Sequence, residues 1–346
     1  MNTLLLFSKS LESISTVTNW YISDLAEYHG KQELYTHQAP QKLKTLREHA
    51  LIESSLSSNR LEGIEIEEKR IGTVLFGKAV YKDRNEEEVA GYRKTLTLIH
   101  ENYRDLSISE ETLKKLHALT RGEIWDAGKY KEKDSTIIEK YPDGRERIRF
   151  KTVSARKTEA AVNELIVSWE DIIKDKAIHP LIALAAFNLD FLCIHPFRDG
   201  NGRVSRLILL LQLYHLGYEV GRYISIEKLI EENKERYYET LEQSSQGWHT
   251  GEHDPWPFIN YILSLLKTAH KEFECRIGHV HSPRGSKTEM VIAVIDKQLG
   301  KFSISELKKS CPGVGLDMIR KILKDLKKRK IIGCLGRGKD ATWKKL

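Results

Sequence analysis

The stretch His195-Pro196-Phe197-Arg198-Asp199-Gly200-Asn201-Gly202-Arg203-Val204-Ser205-Arg206 decides how the chain is read. It lies between two strongly apolar segments, Pro180–Ile194 and Val204–Leu216, whose composition predicts two core helices. A loop gripped at both ends by core elements is held still. Gly200 and Gly202 let the backbone turn sharply and come close to a ligand. The amides from Gly200 to Arg203 then open a helix, and a helix N-terminus after a glycine-rich turn suits an anion. Arg203 and Arg206 share one helical face, placed to grip consecutive phosphates. Asp199 offers a hard oxygen suited to Mg2+, which phosphates usually help to coordinate. His195 is the residue of this stretch able to take a proton near neutral pH. A phosphate cradle, a metal ligand, two cations and a base point to chemistry on a nucleotide phosphate.

Outward from this loop, most of the chain reads as helix. Apolar positions at Leu43, Leu46, Ala50, Leu51 and Leu56 predict a helix over Gln41–Leu61, with Gly63 as its C-terminal cap. Further helices are predicted at Glu86–Glu101, Glu110–Arg121, Val153–Lys174, Ile226–Ser245 and Trp256–Ile277. Thr136-Ile137-Ile138 and Ile148-Arg149-Phe150 flank the turn sequence Tyr141-Pro142-Asp143-Gly144, which predicts a β-hairpin. His281 to Ser286 reads as a linker. Beyond it come helices at Lys287–Leu299, Ser305–Ser310 (with Ser303 and Glu306 spaced as a capping box) and Leu316–Arg329. A second hairpin follows, Ile331–Leu335 and Ala341–Lys344, around a Gly336–Asp340 turn. Three regions result: 1–105, 106–280 and 281–346.

Composition narrows the classes. The 346 residues are 40% hydrophobic and 30% charged, a globular balance. No apolar run reaches the roughly 18 residues of a membrane span, and the start lacks the marks of a secretory signal. Cys193, Cys275, Cys311 and Cys334 have neither disulfide-framework nor zinc-site spacing, so a cytoplasmic protein is expected. The net charge of +7 is unevenly placed: residues 282–346 carry 17 Lys and Arg against 6 Asp and Glu, a balance of +11, which leaves −4 elsewhere. In the basic module, Leu316, Ile319, Leu323 and Leu326 mark an apolar helix face. Arg320, Lys321, Lys324, Lys327 and Lys328 crowd the rest, with Arg337 and Lys339 at the hairpin tip. Such a surface suits the DNA backbone, or else is the solvated face of a protein-contact module.

The His195–Arg206 stretch resembles the Fic family signature HxFx(D/E)GNGRxxR at every specified position, and the resemblance extends from about Gln41 to Ile277. It implies a mainly α fold, a Fic-type helical bundle with a β-hairpin flap, to which the C-terminal region adds what resembles a winged helix-turn-helix. It implies transfer of AMP from ATP to a Ser, Thr or Tyr hydroxyl of a target protein or of the chain itself. Carried over, His195 is the base that deprotonates the hydroxyl. Asp199 holds Mg2+ against the α- and β-phosphates. Gly200, Asn201 and Gly202 line the anion hole, Arg203 meets the β-phosphate and Arg206 the γ-phosphate.

Tyr237 and Tyr238 resemble the tyrosines bordering the adenine, with core aromatics of an amphipathic helix as the alternative. At Ser245 the chain departs from relatives that place an asparagine near the nucleotide. Ser135, Thr136, Ile137 and Ile138 resemble the flap that holds the target by strand addition, a purely structural hairpin being the alternative. Ser58 to Gly63 matches the inhibitory motif (S/T)xxxE(G/N). There Glu62, near a helix C-terminus that disfavours an anion, is expected to pair with Arg206, and Ser58 one turn earlier to hydrogen-bond the Glu62 carboxylate. Other readings stay open: an ATP-sensing, DNA-binding regulator with an idle core, a bifunctional enzyme that also removes AMP, and a homodimer.

Overall fold

Two helices buried on every side organise the first part of the chain. The computed structural model describes residues 3–10, 13–38, 40–77, 80–140, 144–176, 178–278, 286–298, 300–311, 314–336 and 341–345. These fall into two units, Met1–Glu272 and Phe273–Leu346. In the first unit, α1 (Thr3–Ser10), α2 (Thr16–Gln38), α3 (Pro40–Arg60), α4 (Ile71–Phe76), α5 (Arg84–Asn102) and α6 (Glu110–Arg121) precede a hairpin of β1 (Thr136–Lys140) and β2 (Glu146–Lys151). Then come α7 (Ala155–Asp175), α8 (Pro180–Ile194), α9 (Asn201–His215), α10 (Ile226–Glu232), α11 (Lys234–Ser245) and α12 (Trp256–Gly278), the last running past the unit boundary.

Every residue of α8 from Leu181 to Ile194 is buried, as is α9 from Arg203 to Tyr214. α8 and α9 pack on each other in the centre while α7 covers α8 and α5 and α6 cover α9. The His195–Arg206 stretch is therefore the hinge of the core pair. No helix among the described residues is long and apolar enough to cross a membrane.

The helices expected from periodicity form within a few residues of their expected ends, and α6 and α8 match at both ends. One expectation fails: the single helix over Ile226–Ser245 is two. Asn233 leaves helical geometry (φ −130°, ψ 38°) and separates α10 from α11. Asn is a weak helix former, and apolar periodicity does not register a single backbone break. The helices α1 and α2 had no expectation; α1 is short and α2 has little amphipathic bias. The β1–β2 pairing is antiparallel, with a register shift between Ile137 and Ile138, and its turn residues Tyr141, Pro142 and Asp143 lie outside the described residues.

α3 ends in a Schellman arrangement. The Ile64 amide donates to the Asn59 carbonyl at 2.9 Å and the Gly63 amide to that of Arg60 at 3.0 Å, with Gly63 at φ +76°. Glu62 is thereby fixed as the residue capping the helix.

In the second unit, α13 (Ser286–Lys297), α14 (Ile304–Ser310) and α15 (Leu316–Lys328) pack with a three-stranded antiparallel sheet ordered β3 (Phe302–Ser303), β5 (Thr342–Lys345), β4 (Ile332–Cys334). The core is Val291, Ile295, Phe302, Leu307, Ile319, Leu323, Leu326 and Ile332 with their neighbours. The Ser303–Glu306 capping box forms in both directions. The linker residues 281–285 and the tip residues Arg337 and Lys339 lie outside the described residues.

Gly63 has nothing within 4 Å of where a Cβ would sit, so its only constraint is the positive φ. Gly63→Ala is expected to cost about 1–2 kcal/mol, read as a lower urea midpoint by far-UV circular dichroism.

Candidate functional site

The loop between α8 and α9 is tied to itself and to its neighbours. The Phe197 amide donates to Asn201 Oδ1 at 2.9 Å and Asn201 Nδ2 donates to the Phe197 carbonyl at 2.8 Å, so the Asn201 side chain closes the loop. Phe197 is fully buried and stacks on His117 of α6, with ring centroids 3.9 Å apart. His117 Nε2 donates to the Asp199 carbonyl at 3.0 Å while its Nδ1 accepts from the Gly128 amide at 2.9 Å, and burial pushes its pKa down to about 4. A neutral imidazole of one tautomer thus braces the loop from below. Sequence reading had no route to His117, which belongs to a distant helix.

His195 caps α8 in the left-handed region, φ 52° and ψ 61°, its amide donating to Phe191 at 2.9 Å. Its Nδ1 lies 3.3 Å from the Leu192 carbonyl, an acceptor only, so Nδ1 carries the hydrogen and Nε2 keeps its lone pair. Burial first, then the Lys131 ammonium, pushes its pKa down to about 4. The ring is neutral at physiological pH, as a base must be.

α9 begins at Gly200, φ 80°, and carries both expected arginines inside the core. Arg206 Nη2 donates to Glu62 Oε1 at 2.8 Å and to the Ser58 carbonyl at 2.9 Å, and Arg206 Nε donates to Ser58 Oγ at 2.9 Å. The expected Glu62–Arg206 pair is present. The expected Ser58–Glu62 bond is replaced: Ser58 serves the guanidinium, because its hydroxyl and carbonyl both face the planar donor fork. Burial opposes charge on Arg206, but Glu62 beside it outweighs burial and the guanidinium stays charged. The Glu62 carboxylate also lies over the first turn of α9, where a Cβ on Gly202 would collide with Oε1. An anion thus sits on the helix N-terminus that the sequence marked for phosphate.

Arg203 is wholly buried against Glu88 of α5, with Asn59 Oδ1 at 3.3 Å from Nη1. Glu88 also takes Arg121 Nη1 at 2.7 Å and Arg84 Nε at 2.9 Å. Arg121 in turn holds Asp199 Oδ2 at 2.7 Å. Against the effect of burial, Arg121 and Arg203 keep the Asp199 carboxyl below the usual carboxylate range. Arg203 retains Nε and Nη2 with no hydrogen-bond partner among the described residues, two buried donors that suit a phosphate oxygen. The Asp199 side chain is 55% exposed. No cluster of three metal-ligating side chains exists among the described residues, so a Mg2+ here would draw its other ligands from phosphates and water, which that ion prefers.

The remaining expected residues gather around these. Tyr238 is half-buried and donates its hydroxyl to the Leu61 carbonyl at 3.2 Å. Tyr237 is buried among Tyr238, Phe258 and Tyr261, as core aromatics are. Ser245 spends its hydroxyl on the Glu242 carbonyl at 3.0 Å. The hairpin is fastened to α11 through Arg147 and Arg149, which pair with Glu242 at 2.6 and 3.2 Å. Ser135, Thr136 and Ile137 stand at its root, and Ile138 on β1 is 45% exposed. Glu88, Arg121, His117 and Lys131 were missed by the sequence reading. A buried glutamate beside two arginines has no local signature.

Comparison with known proteins places this geometry. Residues 107–213 match the profile of the Fic/DOC family. Over 100 residues it is 32% identical to "Protein adenylyltransferase Fic" of Aedes aegypti, covering 29% of this chain and 18% of that one. The Culex quinquefasciatus protein of the same name is 31% identical over 99 residues, 29% of this chain and 17% of that one. The matched stretch is thus less than a fifth of those relatives' length. The fold is that of a Fic family protein from Desulfovibrio desulfuricans, with TM-score 0.63 at 22% identity and 98% of both chains covered.

Glu88 is the buried carboxylate that Arg203 and Arg121 share, Asp199 beside them being half-exposed. Glu88→Leu leaves the buried Arg203 without its close carboxylate and Arg121 with the half-exposed Asp199, with an expected loss of about 3–5 kcal/mol, measured as a drop in the urea unfolding midpoint.

Proposed function

We propose that the protein transfers AMP from ATP to a Ser, Thr or Tyr hydroxyl on a protein, another chain or itself, and that Glu62 restrains the reaction. The observation that carries this is one short loop with a neutral His195, its Nε2 lone pair unspent, at one end, and the N-terminus of α9 with Arg203 and Arg206 at the other. A base and an anion cradle are thereby fixed to the same rigid hinge, as acid–base chemistry on a phosphate demands.

In the proposed step, the target hydroxyl gives its proton to His195 Nε2 as its oxygen attacks the α-phosphorus. The bond from that phosphorus to the bridging oxygen breaks, and pyrophosphate leaves. The backbone of Gly200, Asn201 and Gly202 faces the transferred group, while Arg203 and Arg206 take the leaving phosphates. Asp199 would hold Mg2+, which would supply positive charge against the phosphates. Tyr238 borders the adenine, and Ser135, Thr136, Ile137 and Ile138 present the edge on which a target segment lies.

The restraint follows from charge. While Glu62 holds Arg206 and covers Gly202, the γ-phosphate meets a carboxylate where it needs a cation. Glu62 is 25% exposed and caps the end of a helix, so it is the counter-charge that can leave.

The second unit supports a separate binding reading. Its three helices and three-stranded sheet have the make-up of a winged helix, and α15 buries Ile319, Ile322, Leu323 and Leu326 while Arg320, Lys321, Lys324, Lys327 and Lys328 face solvent. That cationic helix face suits the phosphates of duplex DNA.

Two measurements check these readings. With Mg-ATP, Glu62→Gly is expected to raise AMP incorporation, read by intact mass, by about tenfold or more, a change of ~1.4 kcal/mol. His195→Ala in that background abolishes it, and equal incorporation by wild type and Glu62→Gly removes the restraint. For the second unit, the logarithm of duplex-DNA affinity falls linearly with the logarithm of salt concentration, and Lys324→Ala reduces that slope by about 1. Binding that ignores salt, or none, overturns the DNA reading.

A further inference from the structure

Lys131 is buried beside His195, and neither the motif nor the proposed step uses it. It follows Tyr130, which makes an isolated antiparallel bridge with Phe197. Its amide donates to the Pro196 carbonyl at 2.9 Å, the residue after His195. Its Nζ donates to the Ile194 carbonyl at 3.1 Å, the residue before. The same Nζ donates to Thr152 Oγ1 at 2.8 Å and to Ser135 Oγ at 3.4 Å, the residues that close the root of the β1–β2 hairpin. Thr152 Oγ1 donates to the Ser135 carbonyl at 2.8 Å, so the root is itself bonded.

We propose that Lys131 is the positioning residue of His195: from one side chain and one amide it fastens both carbonyls flanking His195 and keeps a cation beside the ring. The need is physical. His195 is a non-glycine residue at φ 52°, a conformation disfavoured against the right-handed one unless neighbours impose it. The Lys131 Nζ bond to the Ile194 carbonyl holds the peptide plane that sets His195 φ, and the Lys131 amide holds the Pro196 carbonyl one plane further on. The cation also favours the neutral ring, opposed by Glu62 of the α3 cap and by Asp199 of the loop. Because the ammonium is shared with the hairpin root, base and target-holding edge are built on one anchor. The catalytic meaning of this rests on the AMP-transfer reading; the anchoring itself does not.

The test uses the full chain with isotope-labelled histidine, His195 being assigned by comparison with His195→Ala. Lys131→Gln keeps a donor for Ile194 without the charge, Lys131→Arg keeps both, and Lys131→Met removes both. The His195 titration midpoint is expected to rise in the Gln and Met variants and to stay near wild type in Arg. In the Glu62→Gly background the acid limb of the AMP-transfer pH profile moves up with it. There kcat falls about tenfold to a hundredfold in Lys131→Met and less in Lys131→Gln, with KM for ATP unchanged. An unmoved His195 midpoint in folded Lys131→Gln overturns the proposal, and this arm decides even where the Met variant does not fold. A moved midpoint in a protein without AMP transfer upholds the anchor and sinks the activity reading instead.

Discussion

A core helix with two arginines in it obliges the fold to deliver two carboxylates. α9 is buried on all sides, and its Arg203 and Arg206 enter the interior with it. An unpaired guanidinium there would cost several kcal/mol, so the packing of α3 and α5 around α9 is constrained by charge as much as by shape. Glu88 answers Arg203 and Glu62 answers Arg206. The two answers differ in kind. Glu88 is nearly inaccessible and also holds Arg84 and Arg121, which makes it a permanent part of the core. Glu62 caps a helix, is partly exposed and makes one ion pair, which makes it removable. Under the proposed function that asymmetry separates a structural arginine from a regulated one.

The loop joining α8 to α9 shows how a reactive geometry is held without reactive side chains. Asn201 closes it, Phe197 anchors it, His117 braces it and Lys131 fastens the carbonyls of Ile194 and Pro196 on either side of His195. Each uses an ordinary hydrogen bond or stack, and together they fix a backbone conformation that His195 alone would not choose. The His195 ring is kept neutral by its surroundings and its hydrogen sits on Nδ1 by elimination, so a single nitrogen faces outward. The second unit repeats the principle on a simpler scale, burying one face of α15 and leaving cations on the other.

The residues of the motif and the helices around it could be read from the sequence alone, whereas the pairing of Glu62 with Arg206 was expected only through the family resemblance. Glycine spacing, apolar periodicity and cap residues act over a few positions, and those positions are adjacent in the chain. The same locality explains the errors. Periodicity carried the reading through Asn233, where one residue's backbone broke the helix, and passed over α2, whose packing leaves no strong stripe. Ser58 was assigned to the carboxylate one turn away, because the guanidinium that takes it is distant in sequence.

What the sequence determined by itself was the chemistry on offer: a base, an acidic oxygen, two arginines and a glycine turn placed between two core helices. What only the tertiary structure decided was who meets whom. Arg203 finds Glu88 across 115 positions and Arg206 finds Glu62 across 144, and Lys131 reaches the peptide before His195 across 63. The physical reason is that burying a charge is so costly that it must be paired, yet the rule names no partner. Any carboxylate brought close enough will serve, and closeness is a property of packed helices rather than of neighbouring letters.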